Sequence, residues 1–171
     1  MYHLNIKNNH QTYLSIGSNI PDRLENIDYA INMIKEDNNF NIIKISSIYE
    51  TEPLYYKEQN DFLNLVIKVC SSYKKHELLK KCKLIESQMG RDFKKDRYHE
   101  RIIDIDILTY DKIIYKDKLL ILPHPKINER KFVLVPFSEI ASDYIIPGNN
   151  VDIKNLLINT KDKSRVRIFN F

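Results

Sequence analysis

Two aspartates, Asp104 and Asp106, interrupt an otherwise apolar run over residues 102–108. Side chains two positions apart in a strand point to the same face, about 7 Å apart along the chain. Neighbouring carboxylates repel each other, and both are costly to desolvate unless a cation lies between them. Mg²⁺ takes one or two protein carboxylates and completes its coordination with phosphates and water. The pair therefore predicts a magnesium–nucleotide site; an edge strand with a hydrated polar face is the alternative.

A basic segment leads directly into this acidic pair. It contains five cationic side chains with two aromatic rings between them: Arg91, Lys94, Lys95, Arg97 and Arg101, with Tyr98 and His99. The segment is polar and has no periodicity, which is typical of a long loop. Phosphoryl transfer needs cationic groups that close on developing negative charge, so this loop is a candidate phosphate-binding element. A hydrated charged surface would show the same composition.

Phe62 and Asn64 are also two positions apart, on one face of another predicted strand. The apolar residues of that strand take the opposite face: Leu63, Leu65, Ile67 and Val69. An aromatic plane beside an amide, which both donates and accepts hydrogen bonds, suits a flat heterocycle. The pair is a candidate site for such a ring. A half-buried phenylalanine beside a surface asparagine is the structural alternative.

His124 lies between two prolines, with Arg130 and Phe132 close downstream. Proline restricts the backbone, so the imidazole would be held in a defined position near the arginine. A purely structural histidine is the alternative here. The other histidines show no spacing typical of zinc ligands.

The elements that would position these residues follow from hydrophobic periodicity. Alternating or β-branched runs predict strands near residues 12–16, 42–49, 61–73 and 102–110, and a short run over 113–115 could pair with the last of these. Apolar residues at helical spacing predict helices over about 23–37 and 76–89, the second ending at Gly90. Beyond Pro123 we expect mostly irregular chain, with short helical pieces near 128–131 and 137–141.

This β-α-β-β-α-β order with short links predicts an α+β sandwich of the ferredoxin-like kind, a mainly antiparallel sheet with helices packed on it. No repeat, linker or change of composition divides the chain. We therefore expect one domain over residues 1–171, with residues 1–11 as an N-terminal extension and 161–171 as a tail without an assigned role.

Composition excludes several classes of protein. The 171 residues include only three glycines, so neither a G-x-G-x-x-G fingerprint nor a glycine-rich phosphate loop is present. A formal charge of +4 favours a small polyanion over a nucleic acid. The two cysteines have no metal-site spacing, and no apolar run suits a signal peptide or a membrane span. We expect a cytoplasmic monomer without nucleic-acid or membrane partners.

Together these segments resemble one family, the 6-hydroxymethyl-7,8-dihydropterin pyrophosphokinases of folate biosynthesis. The resemblance runs from about residue 13 to 146. It is carried by Gly17-Ser18-Asn19, Thr51-Glu52-Pro53-Leu54, Gln59 with Asp61-Phe62-Leu63-Asn64, Glu86 through Gly90-Arg91, Arg101-x-x-Asp104-Ile105-Asp106-Ile107-Leu108, and Pro123-His124-Pro125 with Arg130-x-Phe132-Val133-Leu134. The last two are the most specific.

The resemblance implies transfer of the β,γ-pyrophosphoryl group of ATP to the 6-hydroxymethyl oxygen of the dihydropterin, with release of AMP. It implies that Asp104 and Asp106 hold two Mg²⁺ ions that bridge the phosphates of ATP, the co-substrate. It also implies that Arg91 and Arg101, which match the mobile-loop arginines of the family, act with these aspartates in catalysis.

The same resemblance implies two binding subsites. Phe62 and Phe132 would sandwich the pterin ring and Asn64 would read its edge, with assistance from backbone groups around Thr51 and Leu54. The positions matched to ATP binding are Arg91, Arg101, Ile107, His124 and Arg130.

Three positions depart from the family pattern. Phe62 stands where tyrosine is frequent, which keeps stacking and loses a hydroxyl. Tyr98-His99-Glu100 replaces the usual Trp-Gly-Pro before Arg101, which bears on how the loop closes. Phe93 stands where a further loop arginine is frequent, which removes one phosphate contact.

Two other classes of function remain as alternatives. Sheets of this order with exposed aromatic side chains also bind single-stranded RNA, although no glycine lies in the strand signature of such modules and paired carboxylates repel phosphate. A pseudoenzyme or interaction protein could keep the same fold. Release of AMP from ATP would discriminate among these three.

Overall fold

The structure, a computed structural model, describes residues 9–54, 58–93 and 100–170. Its strands are β1 His10–Ser18, β2 Phe40–Ile45, β3 Tyr49–Thr51, β4 Phe62–Ser71, β5 Asp104–Tyr110, β6 Tyr115–Lys116, β7 Ile121–Leu122 and β8 Val166–Ile168. Its α-helices are α1 Arg23–Glu36, α2 Lys75–Gln88, α3 Lys131–Ala141 and α4 Ile153–Asn159, and a 3-10 turn covers Ile127–Glu129. These bounds agree with the first four predicted strands and both predicted helices within a few residues.

The main sheet is antiparallel throughout its described pairs. Its strand order is β5-β1-β4-β3-β8, and β2 pairs with β4 beside β3. When β2 and β3 are counted as one interrupted strand, the four-strand order is that of a ferredoxin-like sandwich. The predicted fold class is therefore confirmed. Strand β1 lies between β5 and β4, so its residues contact both.

Helices cover both faces of the sheet. On one face α1 and α2 pack on the strands with a fully buried cluster that includes Ile27, Leu78 and Ile105. On the other face α3 and α4 pack on a second cluster that includes Val66 and Phe137. The apolar residues at helical spacing in α2 and at its C-cap are buried, as the periodicity predicts: Leu78, Cys82, Ile85 and Met89. Gly90 adopts φ +91, the left-handed conformation expected after α2.

The predicted strand over 42–49 is interrupted at Ser46–Ile48. Ser46 still bonds with Val66, through its backbone N–H and its hydroxyl, each at 3.0 Å. The Ser47 N–H instead donates to the Glu139 carboxylate of α3, at 2.9 Å to the nearer oxygen. Because this bond takes the backbone out of the ladder, the strand divides into β2 and β3.

The predicted pairing of residues 113–115 with β5 is wrong. Asp111 adopts φ +46, and its carboxylate accepts hydrogen bonds from the Gln11 N–H and from His10. This arrangement turns the chain away from the edge of β5. The Asp117 carboxylate then accepts from the N–H groups of Leu119 and Leu120, and the resulting turn pairs β6 with β7.

The expectation for the chain beyond Pro123 is only partly met. The helical pieces expected near 128–131 and 137–141 coincide with the 3-10 turn and the end of α3, but the full length of α3 and the presence of α4 and β8 were not expected. Pro136 and a nearly continuous apolar run hide the helical period in the first part of α3. The termini differ as well. Strand β1 begins at His10, inside the expected N-terminal extension, and β8 lies inside the expected tail.

Candidate active site

The neighbouring strands β1, β4 and β5 pass from the core into a cleft along the sheet face that α3 covers. Tyr13 of β1, Val66 of β4 and Leu108 of β5 are buried beneath α3. At one end of the sheet, two and four residues away from these positions, the residues on the same face are no longer covered by α3 and line an open cleft. The cleft residues contributed in this way are Ser15, Gly17, Asn64, Phe62, Asp106 and Asp104.

The cleft has a volume of about 360 Å³, within the range of small-molecule sites. Segments from five parts of the chain line it: Ser15, Gly17; Thr51, Glu52, Pro53, Leu54, Gln59, Phe62, Asn64; Lys83, Arg91; Arg101, Asp104, Asp106; and His124, Lys126, Arg130, Phe132. All but one of the site residues expected from the sequence therefore lie together.

The exception is Ile107, expected among the ATP-binding positions. Its side chain is 5% exposed in the cluster beneath α1 and α2, and it does not line the cleft. The reason is strand alternation, which turns Ile107 away from the face that carries Asp104 and Asp106. Five residues of the basic segment lie outside the described residues: Lys94, Lys95, Arg97, Tyr98 and His99.

Asp104 is neutralised by two guanidinium groups. One carboxylate oxygen accepts from Arg91 at 2.6 Å, and the other accepts from Arg101. Burial by itself raises the pKa of the Asp104 carboxyl, but the charges of Arg101 and Arg91 outweigh it and hold that pKa below its ordinary value. Asp104 is thus a charged carboxylate that positions both expected catalytic arginines.

Asp106 is much less compensated. Its nearest ion-pair partner among the described residues is Arg130, at 3.8 Å. Burial and the adjacent charge of Asp104 raise the pKa of the Asp106 carboxyl to about 6. The two side chains do point side by side into one cleft, as the strand pattern predicted.

Glu86 anchors the basic wall of the cleft. Its side chain is fully buried, accepts from the Ile105 N–H at 2.7 Å and pairs with Arg91 and with Lys83, the latter at 2.8 Å. Burial raises the pKa of the Glu86 carboxyl. Because Ile105 lies on the outer edge of β5, these bonds fasten the end of α2 to the strand that carries the aspartates.

The aromatic side of the cleft contains the predicted stacking pair. Phe62 is the first residue of β4, and Phe132 is the second residue of α3, on the opposite side. Between them Asn64 is 4% exposed, and its amide donates to the Thr51 hydroxyl at 2.7 Å. The remaining amide oxygen lies next to Gly17, the residue opposite Asn64 in the sheet.

Gly17 is required by this close approach. A methyl group at its Cβ position would overlap the Asn64 amide oxygen far inside van der Waals contact. The same glycine is the sheet partner of Asp104 on its other side. Gly17 thus separates the aromatic side of the cleft from the acidic side.

His124 and Arg130 lie on the wall opposite α2. The His124 backbone N–H donates to the Leu108 carbonyl at 2.8 Å, and its Nδ1 accepts from the Lys126 N–H at 3.1 Å. The Arg130 guanidinium lies over the Phe132 ring, 5.6 Å from its centroid. These two of the expected ATP-binding side chains therefore line the cleft, and Arg130 approaches Asp106 to 3.8 Å.

Sequence analysis singled out none of Ser15, Lys83 and Lys126, which line the cleft, and gave no role to Asn19. Lys83 lies three residues before Glu86, a helical spacing that places both on one face of α2, and this spacing could have indicated it. Asn19, quoted only as part of a motif, is fully buried. Its amide donates to Gln59 at 3.1 Å and its oxygen accepts from the Arg101 N–H at 2.7 Å, so it links the aromatic and basic sides.

A family model for 7,8-dihydro-6-hydroxymethylpterin-pyrophosphokinase (HPPK) matches residues 13–142 of this chain. The chain belongs to this family. It is 37% identical over 133 residues to the 2-amino-4-hydroxy-6-hydroxymethyldihydropteridine pyrophosphokinase of Bacillus subtilis, covering 78% of this chain and 79% of that protein. This agrees with the resemblance stated from the motifs.

Longer relatives contain the same region. The chain is 38% identical over 145 residues to the folic acid synthesis protein fol1 of Schizosaccharomyces pombe, covering 85% of this chain and 20% of that protein. It spans a similar 22% of the matching protein from Dictyostelium discoideum. A solved structure of wild-type Plasmodium falciparum HPPK-DHPS superposes with a TM-score of 0.71 at 16% identity, over 91% of this chain and 42% of that one. That likeness supports the fold.

Proposed function

We propose that this chain transfers the β,γ-pyrophosphoryl group of ATP to the hydroxymethyl oxygen of 6-hydroxymethyl-7,8-dihydropterin, a step of folate biosynthesis. The observation that carries the proposal is one cleft with two chemically different ends. A slot flanked by Phe62 and Phe132 suits a flat heterocycle with Asn64 at its edge. Beside it, paired carboxylates and several cationic side chains suit a metal–polyphosphate.

The acidic pair fits Mg²⁺ by its donor set. Hard oxygen ligands from one or two carboxylates, completed by phosphates and water, are what this ion takes. Asp106 has Arg130 at 3.8 Å as its nearest ion-pair partner among the described residues, so its oxygens are less engaged than those of Asp104 and can serve as metal ligands. Asp104 and Asp106 would hold the two ions, which when bound neutralise phosphate charge and increase the acidity of a coordinated hydroxyl.

The protein's own groups supply positioning and electrostatic stabilisation, which is most of what phosphoryl transfer requires. Arg91 and Arg101, held at Asp104, are placed to shift onto phosphate oxygens as negative charge develops. His124 and Arg130 bind the polyphosphate from the opposite wall. Stacking and the Asn64 amide orient the pterin so that its hydroxymethyl group faces the phosphates.

An assay of AMP release tests this function directly. We expect AMP formation from ATP to require both Mg²⁺ and the pterin alcohol, with the pterin diphosphate formed in equal amount. Formation of ADP, or AMP release that is independent of the pterin, would contradict the proposal. The matched control is the pterin without its hydroxyl, 6-methyldihydropterin, which keeps the ring and lacks the acceptor oxygen.

The fold also bears on the alternatives. Helix α3 covers Tyr13 and Val66 in the centre of the sheet face on which a single-stranded RNA would have to stack. In the three described ranges of the chain, no helix has the length and apolar character that crossing a membrane requires. We propose that the chain acts as a monomer on small molecules in the cytoplasm.

A further inference from the structure

The segment over residues 160–168 has no role in the site described above, although it touches both aromatic walls of the cleft. It leaves α4 at Thr160, passes the beginning of α3 and then joins the sheet as β8 beside β3. Within four residues, from Asp162 to Arg165, it bonds to elements that are remote from each other in the chain.

The first contact caps α3. The Asp162 carboxylate accepts from the Lys131 N–H at 2.8 Å and from the Ser164 N–H at 2.8 Å. The residue at the cap position, Arg130, makes no side-chain bond of this kind. An acidic acceptor from outside the helix therefore satisfies the first free N–H of α3. Its negative charge also interacts favourably with the positive end of the helix dipole. The Lys131 ammonium also donates back to the Ser164 carbonyl at 3.0 Å.

The second contact fastens the opposite wall. The Arg165 N–H donates to the Glu52 carboxylate at 2.9 Å, and its guanidinium pairs with Asp61 at 2.6 Å. Glu52 follows Thr51 in the cleft lining, and Asp61 directly precedes Phe62. Arg165 thus holds together both ends of the 52–61 segment, which carries the wall around Phe62.

Asp162 binds the start of α3, which carries Phe132, and Arg165 binds both Glu52 and Asp61, next to Phe62. Residues 160–168 therefore set the separation of the two rings. Stacking depends steeply on separation, since a gap of about 0.5–1 Å forfeits roughly a quarter to a half of a van der Waals contact. Building on the proposed function, we propose that Asp162 and Arg165 are positioning residues that determine the affinity of the pterin slot.

The test compares KM values for the pterin alcohol and for ATP in the AMP-release assay. Arg165→Ala acts only on the Phe62 wall, so we expect KM for the pterin to rise roughly three- to tenfold with KM for ATP unchanged. Asp162→Ala loosens the start of α3, where Arg130 precedes Lys131, so KM should rise for both substrates. Arg165→Lys and Asp162→Asn keep the charge or the acceptor and should restore most of the pterin affinity.

Arg167→Ala is the matched control, because Arg167 lies two residues farther along the same segment and its loss leaves Glu50 paired with Arg23 at 3.0 Å. We expect this variant to keep both KM values. Unchanged KM for the pterin in an active Arg165→Ala enzyme would overturn the positioning role, as would an equal rise in the control. If Asp162→Ala does not fold, the KM values of Arg165→Ala alone test the proposal, because the Arg165 side chain is half-exposed and its removal leaves the core intact. Absence of pterin-dependent AMP release in the unmodified chain would instead refute the proposed function.

Discussion

At the scale of single residues, the two aspartates of the cleft are electrostatically unlike although they are chemically identical. Both oxygens of Asp104 are bound by guanidinium groups, whereas Asp106 has Arg130 at 3.8 Å. A substitution of Asp104 would therefore also release Arg91 and Arg101. Its effect on activity could not be attributed to the lost carboxylate charge alone. Asp106 is the cleaner position at which to test the role of the acidic pair.

We expect Asp106→Asn to lower the rate of AMP formation by about 10²–10³-fold, the usual loss when one preorganised electrostatic group is removed. The asparagine has nearly the same shape and ends the repulsion with Asp104, so the melting temperature should stay the same or rise. Steady-state assays and thermal unfolding together check this. Turnover close to that of the unmodified chain would contradict the metal role of the pair.

Asn64 tests the aromatic subsite. Asn64→Ala removes the amide that donates to Thr51 and borders the slot. We expect the affinity for the pterin alcohol to fall about tenfold or more, since unpaired polar groups would remain on both partners, while binding of ATP should change little. Calorimetric titrations of the two ligands measure this. Exposed Asn41, on β2, supplies an Asn→Ala control, and a greater loss for ATP than for pterin would refute the assignment.

At the scale of elements, the register of β1 between β4 and β5 assembles the site. Gly17 is opposite Asn64 on one side and Asp104 on the other, and Ser15 is opposite Asp106. A shift by one residue would turn both carboxylates to the opposite face. The register therefore determines the function as well as the packing.

Gly17→Ala tests this junction, because the added methyl group would displace the Asn64 amide. We expect weaker binding of the pterin, comparable with that of Asn64→Ala, and a loss of about 1–3 kcal/mol in the free energy of unfolding. Ser15→Ala, on the same strand and face, adds no atoms and serves as the control. Equal pterin affinities for Gly17→Ala and the unmodified chain would show that Asn64 does not contact the ring.

The junction between α1 and β2 makes a pH-dependent contribution to stability. Burial raises the pKa of the Asp37 carboxyl, but hydrogen bonds from Lys81, from the Asn39 N–H and from the Tyr73 hydroxyl outweigh it and lower that pKa from 3.8 to about 2. A lowered pKa in the folded state stabilises the fold above the ordinary pKa, and this stabilisation is lost as the pH falls through 2.

We therefore expect Asp37→Asn to unfold at lower urea concentration than the unmodified chain at pH 7, with the difference shrinking below pH 4 and vanishing only below pH 2. Urea titrations across that range check the prediction. Asp28→Asn, at an exposed position of α1, is the control. A difference that stays constant with pH would show that packing, and not the charge of Asp37, is responsible.

At the scale of the whole molecule, the sheet is stabilised from both faces, and only one face carries the cleft. Phe137 of α3 is fully buried, and its ring centroid lies 4.5 Å from that of Tyr13 in the central strand. Helix α3 therefore has two roles. Its middle completes the second core. Its first turn carries Phe132, and Arg130 directly precedes the helix, so α3 also positions two residues of the cleft.

We expect Phe137→Ala to cost about 3–5 kcal/mol in the free energy of unfolding, the range for removing a buried aromatic ring. KM for the pterin should rise as well, since α3 carries Phe132. Chemical denaturation and assays below the melting temperature measure the two effects. Phe137→Leu, which keeps most of the buried volume, should recover most of both. A cost below 1 kcal/mol would mean that α3 contributes little to the core.

The success of prediction varied with how local each interaction is. The faces of β4 and β5 and the buried stripe of α2 were predicted correctly, because a residue's side of a strand or helix follows from backbone geometry alone. Only the end of helix α3, near 137–141, was predicted, because Pro136 and a nearly continuous apolar run hide the period of its first part. The short β6–β7 pair was misassigned because the left-handed Asp111 redirects the chain.

The amino-acid order by itself determined that Asp104 and Asp106 share a face, that Phe62 and Asn64 share another, and to which family the chain belongs. Only the tertiary structure decided that Gly17 lies between these pairs, that Arg91 and Arg101 both bind Asp104, and that Asp162 and Arg165 connect the two aromatic walls. The physical reason is that alternation along a strand is a property of neighbouring residues, whereas these contacts join remote segments and form only when both faces of the sheet are packed.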